Sequence, residues 1–232
     1  MGCSAPLQSR RLSAFLFACT ARDLRLSLPH QITPWGKPDM ARVLSEHEQN
    51  IVNLIKPLRT ANYQADYNWD ILETSIAKLG AAYGGLELNP DFQRGHVWAP
   101  SQQQHFIENC LRGVVGSDGF LIQFNCPDWS ELLNVETDLP AGLQCVDGLQ
   151  RYTAVTEFIK GNVKPFGLTA DVLKNTQFSP KRFHMKVAIH SFTRRADLLE
   201  HYLSINAGGT PHSANEIERV RGLLELAKGD AA

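Results

Sequence analysis

Apolar residues recur at helical spacing in several long stretches of this chain and crowd together in shorter ones between them. Met40 opens an amphipathic segment in which Ser45 and Glu48 stand at capping-box spacing and Val52, Ile55 and Leu58 follow with helical period. Pro57 is expected to shorten that helix. A second helix is predicted from Trp69 to Leu79, with Asn68 as its N-cap and Leu72, Ile76 and Leu79 on its apolar face. Gly84-Gly85 breaks the chain, and Leu86-Glu87-Leu88 reads as a short strand ended by Asn89-Pro90. A loop from Asp91 to Trp98 leads into a helix from Ser101 to Arg112, stopped by Gly113 and carrying Phe106, Ile107, Cys110 and Leu111 inward. Phe120 to Phe124 and Leu143 to Val146 are compact apolar runs and predict buried strands. Asp147-Gly148 turns the second of these into a helix that continues to Lys160, with Gly161 as its stop. Gly161 to Leu168 is read as a turn and a short strand, and 169–182 as weakly helical and then irregular. His184 to Ile189 predicts a strand. Arg194 to Ser204 predicts a helix with Leu198, Leu199, Tyr202 and Leu203 inward. Ser213 and Glu216 cap a last helix bearing Ile217, Val220, Leu223 and Leu224. Ile122, Val146 and Val187 are expected on strands of one sheet.

Residues 1–39 do not share this regularity. Arg10 and Arg11 precede a short apolar run, Leu12 to Cys19, which resembles a weak secretory signal and is too short to span a bilayer. The segment is read as a disordered extension upstream of a natural start at Met40, with export the less favoured alternative, and 40–232 as a single domain. The whole chain has 232 residues, 43% hydrophobic and 20% charged, with a formal net charge of −1. That balance suits a soluble globular protein and gives no global field toward nucleic acid. A DNA contact would need a local patch, for which Lys181, Arg182, Lys186, Arg194 and Arg195 are the candidates, with a solvated face near a strand end as the favoured plain reading. The five cysteines form no C-x-x-C pair and show no zinc-ligand spacing, which points to reduced, buried thiols in a cytoplasmic protein.

The candidate chemistry centres on the Asp147-Gly148 corner. A strand that feeds a helix through such a turn presents the helix N-terminus, with its unpaired N–H groups, to whatever lies above the strand. Asp147 can hold a cation or accept a proton there, Gln150 can orient water or a base, and Arg151 can clamp a phosphate. The same residues also admit a plain reading, in which Asp147 caps the helix and Arg151 pairs with a surface acid. Arg94 and Trp98 are either an ion pair and a core anchor, or a guanidinium and an indole lining a pocket. Gln102, Gln103 and Gln104 crowd one helical turn, so part of their amides must face the preceding loop. A second glycine-bearing loop, Asn206-Ala207-Gly208-Gly209-Thr210, stands before another helix N-terminus. It serves either as part of an anion site or as a hinge that needs no ligand.

Three blocks in this order resemble the ParB/sulfiredoxin-like superfamily, in the branch found in the S part of GmrSD-type type IV restriction systems. They are Phe92 to Trp98 with Gln102 and Leu111-Arg112-Gly113, then Val146 to Thr153, then Asn206 to Pro211 with Ser213 and Glu216. The family hallmark Asp-Gly-Gln-Gln-Arg is kept as Asp147, Gly148, Gln150 and Arg151, with Leu149 at its third position. The resemblance implies an α+β fold, a small mixed β-sheet surrounded by helices as in the ParB N-terminal domain, and a nucleotide-handling pocket. It implies a nucleoside triphosphate and a divalent metal, magnesium, as cofactors. Asp147, Gln150 and Arg151 are then the catalytic candidates, with Asp147 toward metal. Arg94, Trp98, Gln102, Gly148, Asn206, Gly208, Gly209 and Thr210 are the nucleotide-binding candidates. The function expected is an NTP-dependent phosphohydrolase in DNA restriction, defence or mobile-element DNA metabolism. The alternative is a non-catalytic nucleotide- or DNA-sensing subunit. The chain ends on a helix after Glu216 with no His-Asn-His module, so DNA cutting is expected of a nuclease partner. A sulfiredoxin-type activity is set aside, since no cysteine occupies the glycine-rich loops.

Overall fold

The architecture is that of a computed structural model, which describes residues 44–95, 97–116, 120–130, 136–206 and 214–229. Expectations for residues 1–39, His96, Gly208, Gly209, Thr210 and Ser213 fall outside the described residues. Helix α1, Glu46–Ile55, begins with the expected box: the Glu48 carboxylate accepts from the Ser45 N–H at 3.0 Å, and Ser45 Oγ accepts from the Glu48 N–H at 3.3 Å. It stops two residues before Pro57, and none of its residues is buried.

From Ile55 onward the chain forms one unit. It runs β1 (Tyr63–Asn68), α2 (Trp69–Ala82), β2 (Leu86–Glu87), α3 (Pro100–Leu111), β3 (Leu121–Asn125), β4 (Leu143–Asp147), α4 (Leu149–Ile159), β5 (His184–His190), α5 (Arg195–Asn206) and α6 (Ala214–Gly229). The five strands make one open sheet in the order β1-β5-β3-β4-β2. The β1–β5 and β3–β4 pairs are antiparallel, and the β3–β5 and β2–β4 pairs are parallel. The fold is therefore α+β with a mixed sheet, and Ile122, Val146 and Val187 share it. Among the described residues no helix is long and apolar enough to cross a membrane.

Alternation along the strands divides the side chains between two cores. Ile122, Phe124, Leu143, Cys145, Met185, Val187 and Ile189 pack with Trp69, Leu72 and Ile76 of α2, Ile107 of α3 and Phe158 of α4. Val146 belongs to a second cluster with Phe92, Phe192, Leu198, Leu199 and Tyr202, which α6 joins through Val220 and Leu224. The three described cysteines are free and buried, as expected.

One local expectation needs correction, and one strand carries no sequence signal. Strand β1 was not predicted: its sequence, Tyr-Gln-Ala-Asp-Tyr-Asn, is an edge strand with no fully buried residue, so it carries no apolar alternation to read. The strand expected within Gly161 to Leu168 is instead a 3-10 turn at Pro165–Gly167. Pro165 cannot donate to a ladder, and positive φ at Phe166 and Gly167 turns the backbone. Asn68 stands at the N-cap of α2 as expected, and its amide donates to the Lys181 carbonyl at 2.9 Å.

Candidate functional site

The strand–turn–helix corner forms as the sequence predicts, and its geometry explains the glycine. Gly148 has φ of 92°, and a Cβ there would lie 2.7 Å from the Leu121 carbonyl oxygen and 2.8 Å from Ile122 Cα. The corner rests directly on β3, beside a register irregularity between Gln123 and Phe124. Helix α4 starts at Leu149, and its first backbone bond from Tyr152 N–H reaches the Gly148 carbonyl at 2.9 Å. The N–H groups of the first turn thus open on the space above β4.

That space is a cleft of about 420 Å³, whose walls include Arg94, Trp98, Asp147, Gly148, Arg151 and Asn206. These residues come from the loop after β2, the end of β4, the start of α4 and the end of α5. Arg151 Nη2 donates to Asp147 Oδ2 at 2.5 Å, one helical turn back. Arg151 Nε is shielded from solvent and has no hydrogen-bond partner among the described residues. Arg94 is half-buried and has no carboxylate within ion-pair distance among the described residues. Trp98 meets both of its readings: its ring packs 5.4 Å from that of Phe106, and it lines the cleft. The Asn206 amide nitrogen donates to the Tyr202 carbonyl at 2.8 Å, closing the last turn of α5 at the cleft wall.

Gln150 also lines the cleft, and both it and Gln102 bond to nearby backbone. Gln150 Oε1 accepts from the N–H groups of Val97 and Trp98, both at 3.0 Å, and Nε2 donates to the Gly95 carbonyl at 2.7 Å. Its amide holds the loop backbone at the cleft. Gln102 does not line the cleft: Oε1 accepts from the Ala99 N–H at 2.9 Å and caps α3. Gln103 is the buried member of the triplet and donates to the Trp98 carbonyl, whereas Gln104 turns outward to Glu108. Leu149, at the variant position of the motif, is buried in the α2–α4 core and also forms part of the cleft wall.

Three further residues build the site and were not among the candidates. Gln93 Nε2 donates to the carbonyls of Cys145 and Val146 at 3.2 and 2.7 Å. Strand β2 pairs only with Leu143 and Gln144, so this side chain satisfies the part of the β4 edge that β2 leaves open. Arg219 of α6 donates to the carbonyls of Asp91, Phe92 and Gln93. Tyr202 lies 1% exposed against Phe92, its ring 5.2 Å away. Burial pushes the Tyr202 hydroxyl up to about 12; Glu216 and Asp147 add to the rise, and Arg94 and Arg219 oppose it. Gln93 stood inside the recognised block, and Tyr202 on the predicted apolar face. Arg219 gave no signal, because its partners are backbone carbonyls distant in sequence.

A divalent metal would find a sparse protein ligand set here. Among the described residues Asp147 is the one carboxylate lining the cleft, and no cluster of three metal-ligating side chains occurs. This fits magnesium only in its usual manner, with most ligands from phosphates and water. Cys145, two residues before the corner, is fully buried, and burial raises its thiol, reinforced by the charge of Asp147. It is not a nucleophile. The basic candidates are spread along β5: Lys181 and Arg182 precede it, Lys186 lies within it, and Arg194 and Arg195 follow it. A seven-residue strand spans roughly 20 Å, and Arg195 is already paired with Asp91 at 2.6 Å.

Residues 76–202 match the family model described as GmrSD restriction endonuclease, N-terminal domain, over more than half of the chain. Comparisons with curated proteins and with solved structures gave no match.

Proposed function

The chain belongs to the GmrSD restriction endonuclease N-terminal domain family, a ParB/sulfiredoxin-like group, and from that premise we propose that the Asp147-Gly148 cleft binds a nucleoside triphosphate and hydrolyses it in the service of DNA restriction, defence or mobile-element DNA metabolism in the cytoplasm. One observation carries the reading. Arg94, Asp147, Arg151 and Asn206, from four separate segments, line one cleft at the N-terminus of an eleven-residue helix. Core packing does not require two guanidinium groups to meet there, and charges gathered without a ligand are unfavourable. The volume, about 420 Å³, is within the roughly 300–1,000 Å³ of small-ligand sites.

In this reading the first-turn N–H groups of α4 and the guanidinium groups of Arg94 and Arg151 hold the phosphates. The unpartnered Arg151 Nε supplies a further donor for a phosphate oxygen. Trp98 offers a flat apolar wall to the base or sugar. Asp147 takes the proton of the attacking water as its oxygen bonds to the terminal phosphorus and the bridging P–O bond breaks. If magnesium is bound with the nucleotide, Asp147 would be the residue to hold it, and the ion would offset the phosphate charge. Gly208, Gly209 and Thr210 belong to the proposed site by resemblance alone.

A second reading rests on a specific observation. The Gln150 amide is committed to loop backbone, Asp147 to Arg151, and Leu149 replaces an amide. A cleft built this way suits a nucleotide-sensing module that acts through a nuclease partner. Thermal shift with each NTP, with and without magnesium, followed by phosphate release, separates the two readings. Stabilisation with release supports the enzyme, stabilisation alone supports the sensor, and no stabilisation by any nucleotide overturns both. Arg151→Ala is expected to weaken nucleotide binding by about 1.5–3 kcal/mol. The fold should lose under about 1 kcal/mol, because the Asp147 pair is partly exposed.

A further inference from the structure

Away from the Asp147-Gly148 cleft, two buried imidazoles meet on the sheet face that carries Gln123, Lys186 and Ala188. His190, at the end of β5, is 3% exposed, and His201, from α5, is 5% exposed. Their ring centroids are 4.5 Å apart, and Phe192 packs 5.6 and 5.0 Å from them. His190 Nε2 meets the side-chain amide oxygen of Gln123 at 2.9 Å, an oxygen that accepts, and His190 Nδ1 has no hydrogen-bond partner among the described residues. Neither nitrogen of His201 has a partner among the described residues. Three buried ring nitrogens without hydrogen bonds are costly and call for a ligand. They border a cavity of about 380 Å³ whose walls also include Arg59, Gln123 and Lys186.

We propose that this cavity is a second anion site, which takes an oxyanion of the phosphate class between the fixed charges of Arg59 and Lys186 and the imidazoles of His190 and His201. Arg59 stacks on Phe192 with its guanidinium carbon 5.5 Å from the ring centroid, so it is held at the mouth without an ion-pair partner among the described residues. Two cations on the walls disfavour a metal ion, and no third ligating group joins the histidines among the described residues. The acids around the pair are few. Glu200 is held by Lys228 at 2.7 Å, Asp197 shares the flanking cavities with Arg59, and Asp66 stands opposite Lys186 in the β1–β5 ladder. Lys56 adds a positive charge beside His201. Burial lowers both histidines from their ordinary 6.5. An anion beside them works against that burial, so its entry is coupled to proton uptake.

The site shares only Ile205 with the Asp147-Gly148 cleft and does not depend on the nucleotide reading. Its test is imidazole NMR on the full chain during a titration with inorganic phosphate, repeated with a nucleoside triphosphate. Phosphate should raise the apparent pKa of both histidines by about 1–3 pH units. Arg59→Gln and Lys186→Gln should each weaken that response at least about tenfold. Both side chains are exposed, so both variants should fold. Arg151→Ala should leave the response intact, which separates this site from the first. A response to triphosphate alone, still lost in Arg59→Gln, supports the site and assigns a nucleotide phosphate as its source. Histidines that do not move with either probe, or that move equally in both variants, overturn the proposal.

Discussion

Gly148 shows how a single position ties backbone conformation to the site. Its φ of 92° is open to glycine, and the space where a side chain would start is filled by the Leu121 carbonyl oxygen. Gly148→Ala therefore combines left-handed strain with a clash against backbone that cannot rotate away. The expected cost is about 2–5 kcal/mol, read as a fall in urea midpoint at unchanged m-value. Asp147 would be displaced with the corner, so nucleotide binding should fall as well. Position 149 works differently. Leu149 is 7% exposed and packs in the main core, so Leu149→Gln carries a buried amide. A loss of about 1–3 kcal/mol is expected, with Tm as the measure.

The element that makes the site is the irregular loop between β2 and α3, held from four directions. Gln93 ties it to the β4 edge, Gln150 to the start of α4, Arg219 to α6, and the Arg195–Asp91 pair to the start of α5. Gln93→Ala and Gln150→Ala each remove a tether of the same segment. Their effects on stability should not add: a double-mutant cycle should give an interaction term of about 0.5–3 kcal/mol. Each single variant should weaken nucleotide binding although neither side chain carries charge. The regular elements were legible because their signals are local: Ser45 with Glu48, the stripe of α2, the glycine stops after α3 and α4, and the dense apolar runs of β3, β4 and β5. Strand β1 was not, because it draws its place from pairing with β5 rather than from burial. The corner of the site was legible for the same local reason. The tethers were not, since glutamine and arginine bonded to distant carbonyls leave no periodicity.

At the scale of the unit from Ile55 onward, the sheet separates two cores, and α5 ties one of them to both cavities. Tyr202 and Asn206 of α5 border the Asp147-Gly148 cleft, and His201 borders the second. The histidine pair makes the stability of this unit depend on pH in a defined window. Burial lowers His190 to about 4 from an ordinary 6.5, with the neighbouring His201 contributing, and His201 is lowered in the same direction. Between those values the unfolded chain binds more protons than the folded one, so stability rises with pH. The contribution is complete above pH 6.5 and is lost as pH falls toward 4, at most about 3 kcal/mol for His190. Hydrogen bonds hold Glu48 and Glu108 below their ordinary 4.5, so their share is lost at lower pH. Urea unfolding followed across this range should show the decline, and His190→Gln, whose amide can still donate to Gln123, should flatten it. A decline of the same size in His190→Gln would assign the pH dependence to other groups.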